Sequence, residues 1–142
     1  MKTVAALFKV LSDPTRLRLT ALLANQEEIC VCGLAEALND PEFKISRHLS
    51  ILRSAGLVAT RREGTWMYYR LADARSNLEK GLQACLRESL RGHPTLRQDL
   101  ARFAKAAPRL NCRITRVRAK SFKGRRNQAE NKIMRQVTKG RN

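Results

Sequence analysis

The sequence has no hydrophobic run that approaches the roughly 18 residues needed for a membrane-spanning helix. Its first residues include a brief apolar segment, but neither a long hydrophobic region nor a small-residue cleavage site follows, so no signal peptide is expected. Without an export signal, the four cysteines are expected to stay reduced. We therefore expect a cytoplasmic protein that has no membrane partner.

Aromatic residues, histidines and catalytic motifs are also few. Aromatics make up 5% of the chain, which predicts a largely aliphatic core, and the two histidines, His48 and His93, are too scattered to form a metal cluster. There is no Cys-x-x-Cys pair, no phosphate-binding glycine loop and no placed general base. These absences argue against an enzyme, including a thiol-transfer enzyme, and no cofactor is predicted.

Acidic residues are scarce at the C-terminal end. Residues 109–142 carry 12 Lys and Arg and a single acid, Glu130, so they hold +11 of the net charge of +17. A chain of 142 residues accommodates one domain, predicted at residues 1–107, and an appendage. The appendage, residues 108–142, is predicted to be a disordered basic tail. Its charge favours non-specific polyanion binding, although a merely solvated tail is an equally good interpretation.

Apolar residues at helical spacing predict four helices before residue 57 and two after residue 73. Asp13 and Pro14 are typical of a helix start, and Gly56 is typical of a helix end. The predicted helices cover residues 3–11, 14–24, 30–38 and 42–55, then about 78–90 and about 96–107. The third and fourth helices, joined by Asn39-Asp40-Pro41, form a helix-turn-helix pattern.

Residues 57–62 and 65–71 have strand-like sequences, which predict two strands joined by a short turn at Glu63-Gly64. Within the second strand, one alternate set of side chains should face the core and the other should face outward. A helix-turn-helix followed directly by a basic hairpin is typical of a winged helix. The predicted fold is therefore mainly α with a small β-hairpin, a winged helix-turn-helix.

The fourth predicted helix has a buried stripe and an opposite polar face. At about 100° per residue, Leu49 and Leu52 fall on the same side as Ile45, whereas Arg47 and Ser50 face away. Such a face can donate hydrogen bonds to base edges and phosphates. His48 lies between the two sides, so packing and DNA contact are equally good interpretations of it. The predicted DNA contacts are Lys44, Ser46, Arg47, His48 and Ser50 on the helix, and Arg61, Arg62 and Thr65 on the hairpin.

Cys30 and Cys32 form a thiol pair at the start of the third helix. In a helix their side chains point about 200° apart, and in a strand they point to opposite faces, so one ion can bind both sulfurs only if the backbone deforms. Thiolates prefer soft or thiophilic ions, and a helix N-terminus is expected to lower a thiol pKa. The alternative is that both are small buried residues at a helix start.

Four segments in order resemble the ArsR/SmtB family of winged-helix metal-sensing repressors, and most closely the arsenical-resistance operon repressors. These segments are LSDPTRLRLTALL, EICVCGLAEAL, KISRHLSILRSAGLV and REGTWMYYRL. The resemblance covers roughly residues 5–72 and weakens toward residue 112. It implies a homodimer through the first and the post-wing helices, which binds double-stranded operator DNA when metal-free. It also implies release of that DNA when trivalent arsenic or antimony, as inducer, binds Cys30 and Cys32.

The resemblance is incomplete at the third metalloid ligand. A third cysteine often lies one turn after the pair in that family, and the position here is Ala35. The remaining candidates are Cys85, Cys112, a small-molecule thiol or hydroxide, although Cys85 is expected to lie in the core. An alternative function keeps the DNA-binding fold and makes the thiol pair a redox sensor, and another is a structural nucleic-acid binder with inactive cysteines.

Overall fold

The computed structural model describes residues 1–110, which form six α-helices and three short β-strands. The helices are α1 (Lys2–Leu11), α2 (Pro14–Asn25), α3 (Val31–Leu38), α4 (Glu42–Ser54), α5 (Asn77–Glu88) and α6 (Pro94–Ala106). The strands are β1 (Ile29–Cys30), β2 (Val58–Glu63) and β3 (Trp66–Leu71). All six helices and the two hairpin strands agree with the prediction, apart from shifts at their ends. Most of the predicted basic tail, with Cys112, lies outside the described residues.

The helix ends follow from the local chemistry. The Asp13 side chain accepts a hydrogen bond from the Arg16 N–H at 3.0 Å, which starts α2 and holds the pKa of Asp13 below its usual range. Asn39 ends α3 in the left-handed region at φ +53°, and Gly56 follows α4 at φ +76°. The left-handed residue Asn39 allows the chain to turn out of α3, so α3, the turn and α4 form the predicted helix-turn-helix.

The sheet contains one strand that the sequence did not predict. Its antiparallel order is β1-β3-β2, with β3 in the centre. The short strand β1 pairs Ile29 with Tyr69 and Cys30 with Tyr68. A two-residue strand has too little periodicity to be recognised from sequence. The strand with which it pairs, β3, lies far along the chain, so no local pattern indicates the pairing. Through β1 the thiol pair is attached directly to the hairpin.

The hydrophobic core is built around α2 and the inner side of α4, and it is largely aliphatic, as predicted. In α4 the stripe of Ile45, Leu49 and Leu52 is completely buried. The expected alternation in β3 is wrong at Tyr68. This residue is buried although it shares a face with the exposed Trp66, and on that face the guanidinium of its cross-strand partner Arg61 lies over its ring.

A close approach between α3 and α6 occurs at Gly33. A Cβ atom at this position would lie 2.8 Å from the Ile29 Cγ2 and 3.1 Å from the Phe103 Cε2. We therefore expect Gly33→Ala to lower the free energy of unfolding by about 1–3 kcal/mol through overpacking. Urea denaturation followed by circular dichroism would measure the change.

Gly81 provides the matched control for this prediction. It lies inside α5, and a Cβ there would meet nothing within 4 Å. Gly81→Ala should therefore raise the free energy of unfolding by about 0.5–1 kcal/mol, because alanine favours the helix. Equal stabilisation by both substitutions would show that Gly33 is not tightly packed.

None of the helices within residues 1–110 combines the length and the apolar character that crossing a bilayer requires.

Candidate thiol site and nucleic-acid interface

Cys30 lies at the junction of β1 and α3, where its sulfur caps the helix. Its Sγ accepts a hydrogen bond from the Gly33 N–H at 3.3 Å, and the backbone of Cys30 is extended. The residue is 1% exposed. A helix N-terminus has backbone donors without intrahelical partners, and here the sulfur atom satisfies one of them. A displacement of this sulfur therefore acts directly on the first turn of α3.

Cys32 lies within that first turn, two positions further along and half-buried. Burial raises the pKa of its thiol, and the carboxylates of Glu42 and Glu36 add smaller contributions in the same direction. The expectation that the helix N-terminus lowers the pKa is thus wrong for Cys32, since loss of solvation outweighs it. The predicted placement of both cysteines at the start of α3 is correct.

Two other described positions bear on the third ligand, Ala35 and Cys85. Ala35 is buried one turn after Cys32, where a third cysteine was expected from the family pattern. Cys85 lies on α5 and is exposed, so the expectation that it belongs to the core is wrong for the single chain. The apolar face of α5 predicts burial of Cys85, yet Leu86 is the one residue of α5 that the chain itself buries. Within residues 1–110, no group of three or more His, Cys, Asp or Glu residues is arranged to hold a metal ion.

The outer face of α4 presents the predicted DNA contacts to solvent. Ser46, Arg47 and Ser50 are all exposed, on the side opposite the buried stripe. Lys44 is also exposed and forms an ion pair with Asp40 at 3.2 Å, one turn earlier. The face is thus polar and carries a guanidinium that could form paired hydrogen bonds with a guanine edge.

His48 differs from these residues because it is largely buried. Its Nδ1 lies 3.9 Å from the Asp13 Oδ1, between α4 and the start of α2. This position favours packing over DNA contact, the two interpretations that the sequence left open.

On the hairpin, Arg61, Arg62 and Thr65 are all exposed, but Arg61 also contacts other side chains of the chain itself. The Arg61 Nε donates to Glu28 at 2.9 Å, Nη1 donates to Glu63 at 2.9 Å, and the guanidinium lies 4.8 Å from the centre of the Tyr68 ring. Glu28 contributes more than Glu63 to raising the Arg61 pKa. Arg61 therefore joins the segment before β1 to the hairpin, a contact that the sequence did not indicate.

Comparison with known proteins places this arrangement in a family. A profile described as "Bacterial regulatory protein, arsR family" matches residues 13–60. An uncharacterized HTH-type transcriptional regulator from Methanocaldococcus jannaschii is 46% identical over 71 residues, which cover 50% of this chain and 80% of that protein. The chain belongs to the arsR family of bacterial regulatory proteins.

Other similar proteins carry more specific names. The Arsenic resistance transcriptional regulator ArsR2 of Pseudomonas putida is 56% identical over 71 residues, covering 50% of this chain and 62% of that regulator. A homodimeric winged helix-turn-helix DNA-binding domain from Mycobacterium bovis superposes with a TM-score of 0.53 and 34% identity, covering 66% of this chain and 82% of that one. The winged helix-turn-helix prediction is confirmed, and the family description agrees with the expectation of a regulatory protein.

The arsR-family match contains the thiol pair and the whole of α4, but it ends at residue 60, within β2. Two structural features that the sequence did not predict lie at or beyond the edges of this family match. The first is the Glu28–Arg61 contact, and the second is Asp99, a buried carboxylate on α6. A buried acid is signalled in sequence only by its place on an apolar helix face, here between Leu96 and Phe103.

Proposed function

We propose that this arsR-family protein is a transcriptional repressor that binds operator DNA through α4 and the wing. In the proposal, arsenite or antimonite binds the sulfurs of Cys30 and Cys32 and lowers operator affinity. The observation that carries the proposal is the sulfur of Cys30 acting as the N-cap of α3, the helix that precedes the DNA-facing helix α4. The name of the similar Pseudomonas regulator supports an arsenic-type inducer.

The DNA-binding part of the proposal is supported by the exposed face of α4 and by charge. A helix of about three to four turns can lie in the major groove, with the N-terminal residues of the helix nearest the base edges. Arg47 would contact guanine, Lys44, Ser46 and Ser50 would contact bases or phosphates, and Arg62 and Thr65 would contact the backbone at the wing. The net charge of +17, much of it in residues 109–142, would add salt-dependent affinity for phosphates.

Two copies of the chain would be needed for a near-palindromic operator. The single chain leaves apolar side chains exposed on the predicted dimer helices, with Phe8 on α1 and Leu78 on α5. Both helices are strongly amphipathic, and burial against a second copy would remove these side chains from water. The homodimeric state of the similar Mycobacterium domain supports the same assembly.

The sensing step follows from the position of the two sulfurs. Cys30 ends an extended segment, whereas Cys32 points from the first helical turn, so an ion that binds both sulfurs would rotate this turn and displace the Sγ from the Gly33 N–H. Loss of an N-cap costs about 0.5–2 kcal/mol, which is within the 1–3 kcal/mol typical of allosteric coupling. The deformation would reach α4 through the packing of α3.

A second route leads from the thiol pair to the wing. Cys30 pairs with Tyr68 in the sheet, and the ring of Tyr68 lies under Arg61, which also donates to Glu28, the residue just before β1. Movement of β1 would therefore shift the hairpin as well as α3. Both DNA-contacting elements of the proposal are then attached to the same two-residue strand.

The third ligand of a trigonal metalloid would come from Cys112, Cys85, a small-molecule thiol or hydroxide. Cys85 is exposed on α5, and Cys112 lies outside the described residues. Single serine substitutions at the two positions, followed by titration with arsenite, would distinguish these sources.

The DNA-binding proposal is tested with the reduced full chain and a duplex selected from a random pool by repeated binding. Arg47→Ala should weaken binding about 5- to 150-fold, as expected for loss of a paired contact to guanine. Lys80→Ala removes the same charge from α5 and should have little effect. Fluorescence anisotropy at near-physiological salt measures both. If no duplex is enriched, or if both variants weaken binding equally, the proposed role of α4 is wrong.

The same assay distinguishes the redox alternative. Arsenite should release the duplex from reduced protein, and an oxidant without arsenite should not. Release by hydrogen peroxide alone would instead indicate a thiol redox sensor of the same fold.

A further inference from the structure

Phe43 is an apolar side chain in an unexpected place. It lies in the first turn of α4 and is 72% exposed. At about 100° per residue it falls opposite the buried stripe of Ile45, Leu49 and Leu52. A phenylalanine in this position contributes little to the core and leaves most of its ring in water, which is unfavourable.

The side chains around Phe43 place it within the proposed DNA-contacting face. Arg47 lies one turn and Ser50 two turns further along, both within about 40° of Phe43 around the helix axis. Both are exposed. The neighbouring Lys44 is paired with Asp40, in the turn before α4. Phe43 is therefore the apolar member, at the N-terminal end, of a polar stripe.

The N-terminal residues of a recognition helix are those that contact base edges. In the major groove all four bases present hydrogen-bonding groups, and thymine alone adds an apolar C5-methyl group beside its O4 acceptor. We propose that Phe43 packs against the C5-methyl group of a thymine in each half-site and makes operator binding specific for thymine at that position. This inference rests on the proposed DNA-binding function and adds a residue that determines its sequence specificity.

Deoxyuridine is the appropriate probe, because it removes the methyl group and leaves the hydrogen-bonding edge of thymine unchanged. The duplex is about 30 base pairs long, enough for two half-sites one helical turn apart, and is selected by the full chain from a random pool. Each thymine is replaced by deoxyuridine in turn, symmetrically in both half-sites. Binding of the reduced full chain is measured by fluorescence anisotropy.

For the wild-type chain, deoxyuridine at one symmetric position should weaken binding by about four-fold per half-site. This is the effect of losing the burial of one methyl group. Phe43→Ala should bind the thymine duplex more weakly and should no longer distinguish thymine from deoxyuridine there. Ile51→Ala is the matched control, since Ile51 is also an exposed apolar residue of α4. It should retain the discrimination. Phe43 contributes little to the core, so Phe43→Ala should keep the wild-type circular dichroism spectrum.

Several results would overturn the inference. If wild type tolerates deoxyuridine everywhere, the proposed function stands and Phe43 does not contact a thymine methyl. If Phe43→Ala keeps the discrimination, another side chain makes the contact. If Phe43→Ala changes a dimer into a monomer in analytical ultracentrifugation, Phe43 packs against the second copy instead. If neither protein binds any duplex, the DNA-binding function itself fails.

Discussion

Replacement of Cys30 by serine should abolish the release of operator DNA by arsenite and leave binding without arsenite unchanged. The Cys30 sulfur is both the N-cap of α3 and a proposed metalloid ligand. A serine hydroxyl accepts the same N–H hydrogen bond and is among the preferred N-caps, so α3 and the adjacent sheet should persist. Serine does not provide the thiolate that a thiophilic ion requires. The substitution thus separates the two roles of one atom.

For wild type, arsenite should weaken operator binding by about 5- to 150-fold, the range that coupling of 1–3 kcal/mol produces. For Cys30→Ser this ratio should fall to about one, while the affinity of the metalloid-free protein stays within about two-fold of wild type. Fluorescence anisotropy with the selected duplex measures both quantities. Coupling is reciprocal, so the duplex should weaken arsenite binding to wild type by the same factor.

Cys85→Ser is the comparison variant, because it removes an exposed thiol on α5 that is only a candidate third ligand. If it leaves the arsenite response intact, loss of a thiol in general is not the cause. Continued release from Cys30→Ser would show that the metalloid does not act through this sulfur. Loss of DNA binding without arsenite would show that the serine fails as a cap.

Asp99→Asn should lower the free energy of unfolding by about 2–4 kcal/mol, the largest stability effect that we expect from an isosteric change. The Asp99 carboxylate is completely buried on α6 and accepts from the Arg18 Nε at 2.9 Å and Nη2 at 2.7 Å. Arg102, one turn further along α6, forms a second ion pair with it. A neutral amide would offer one acceptor and would direct its NH₂ group toward a guanidinium.

The same arginines also hold the end of α3. The Arg102 Nε donates to the Ala37 carbonyl at 2.7 Å, and the Arg18 Nη2 donates to the Leu38 carbonyl at 3.4 Å. These carbonyls belong to the last turn of a helix, where intrahelical donors are missing and positive charge is favourable. Loss of the carboxylate would therefore loosen the contact of α6 with the helix-turn-helix as well as the ion pairs themselves.

Urea denaturation of the wild-type protein and of Asp99→Asn measures the difference in the free energy of unfolding, with Asp73→Asn as control. The Asp73 side chain is 97% exposed and lies 3.5 Å from Arg70, so its removal should change the free energy of unfolding by less than about 0.5 kcal/mol. A loss for Asp99→Asn no larger than this would mean that the buried cluster contributes little net stability. Since small domains are stable by only about 5–15 kcal/mol, the expected loss would be obvious in the unfolding midpoint.

The sequence by itself determined those parts of the structure that depend on neighbouring residues. Helix α2 starts at Pro14 because Asp13 can cap it, and α4 ends before Gly56 because glycine tolerates the left-handed backbone there. The inner stripe of α4 follows from helical spacing alone. The winged helix-turn-helix, the position of both cysteines and the exposed residues on α4 were predictable for the same reason.

The tertiary structure alone decided what joins distant positions. Arg61 lies 33 positions from Glu28, and Arg18 lies 81 positions from Asp99. A pattern of neighbours does not indicate which charged residues meet after the chain folds, because chain topology decides which side chains come together. The same is true of burial, because the packing of distant segments decides which side chains are covered. Tyr68 is buried, Cys85 is exposed, and burial raises the pKa of the Cys32 thiol. Local chemistry therefore placed the thiol pair and the helix that we propose to face DNA, whereas long-range packing connected the pair to the wing.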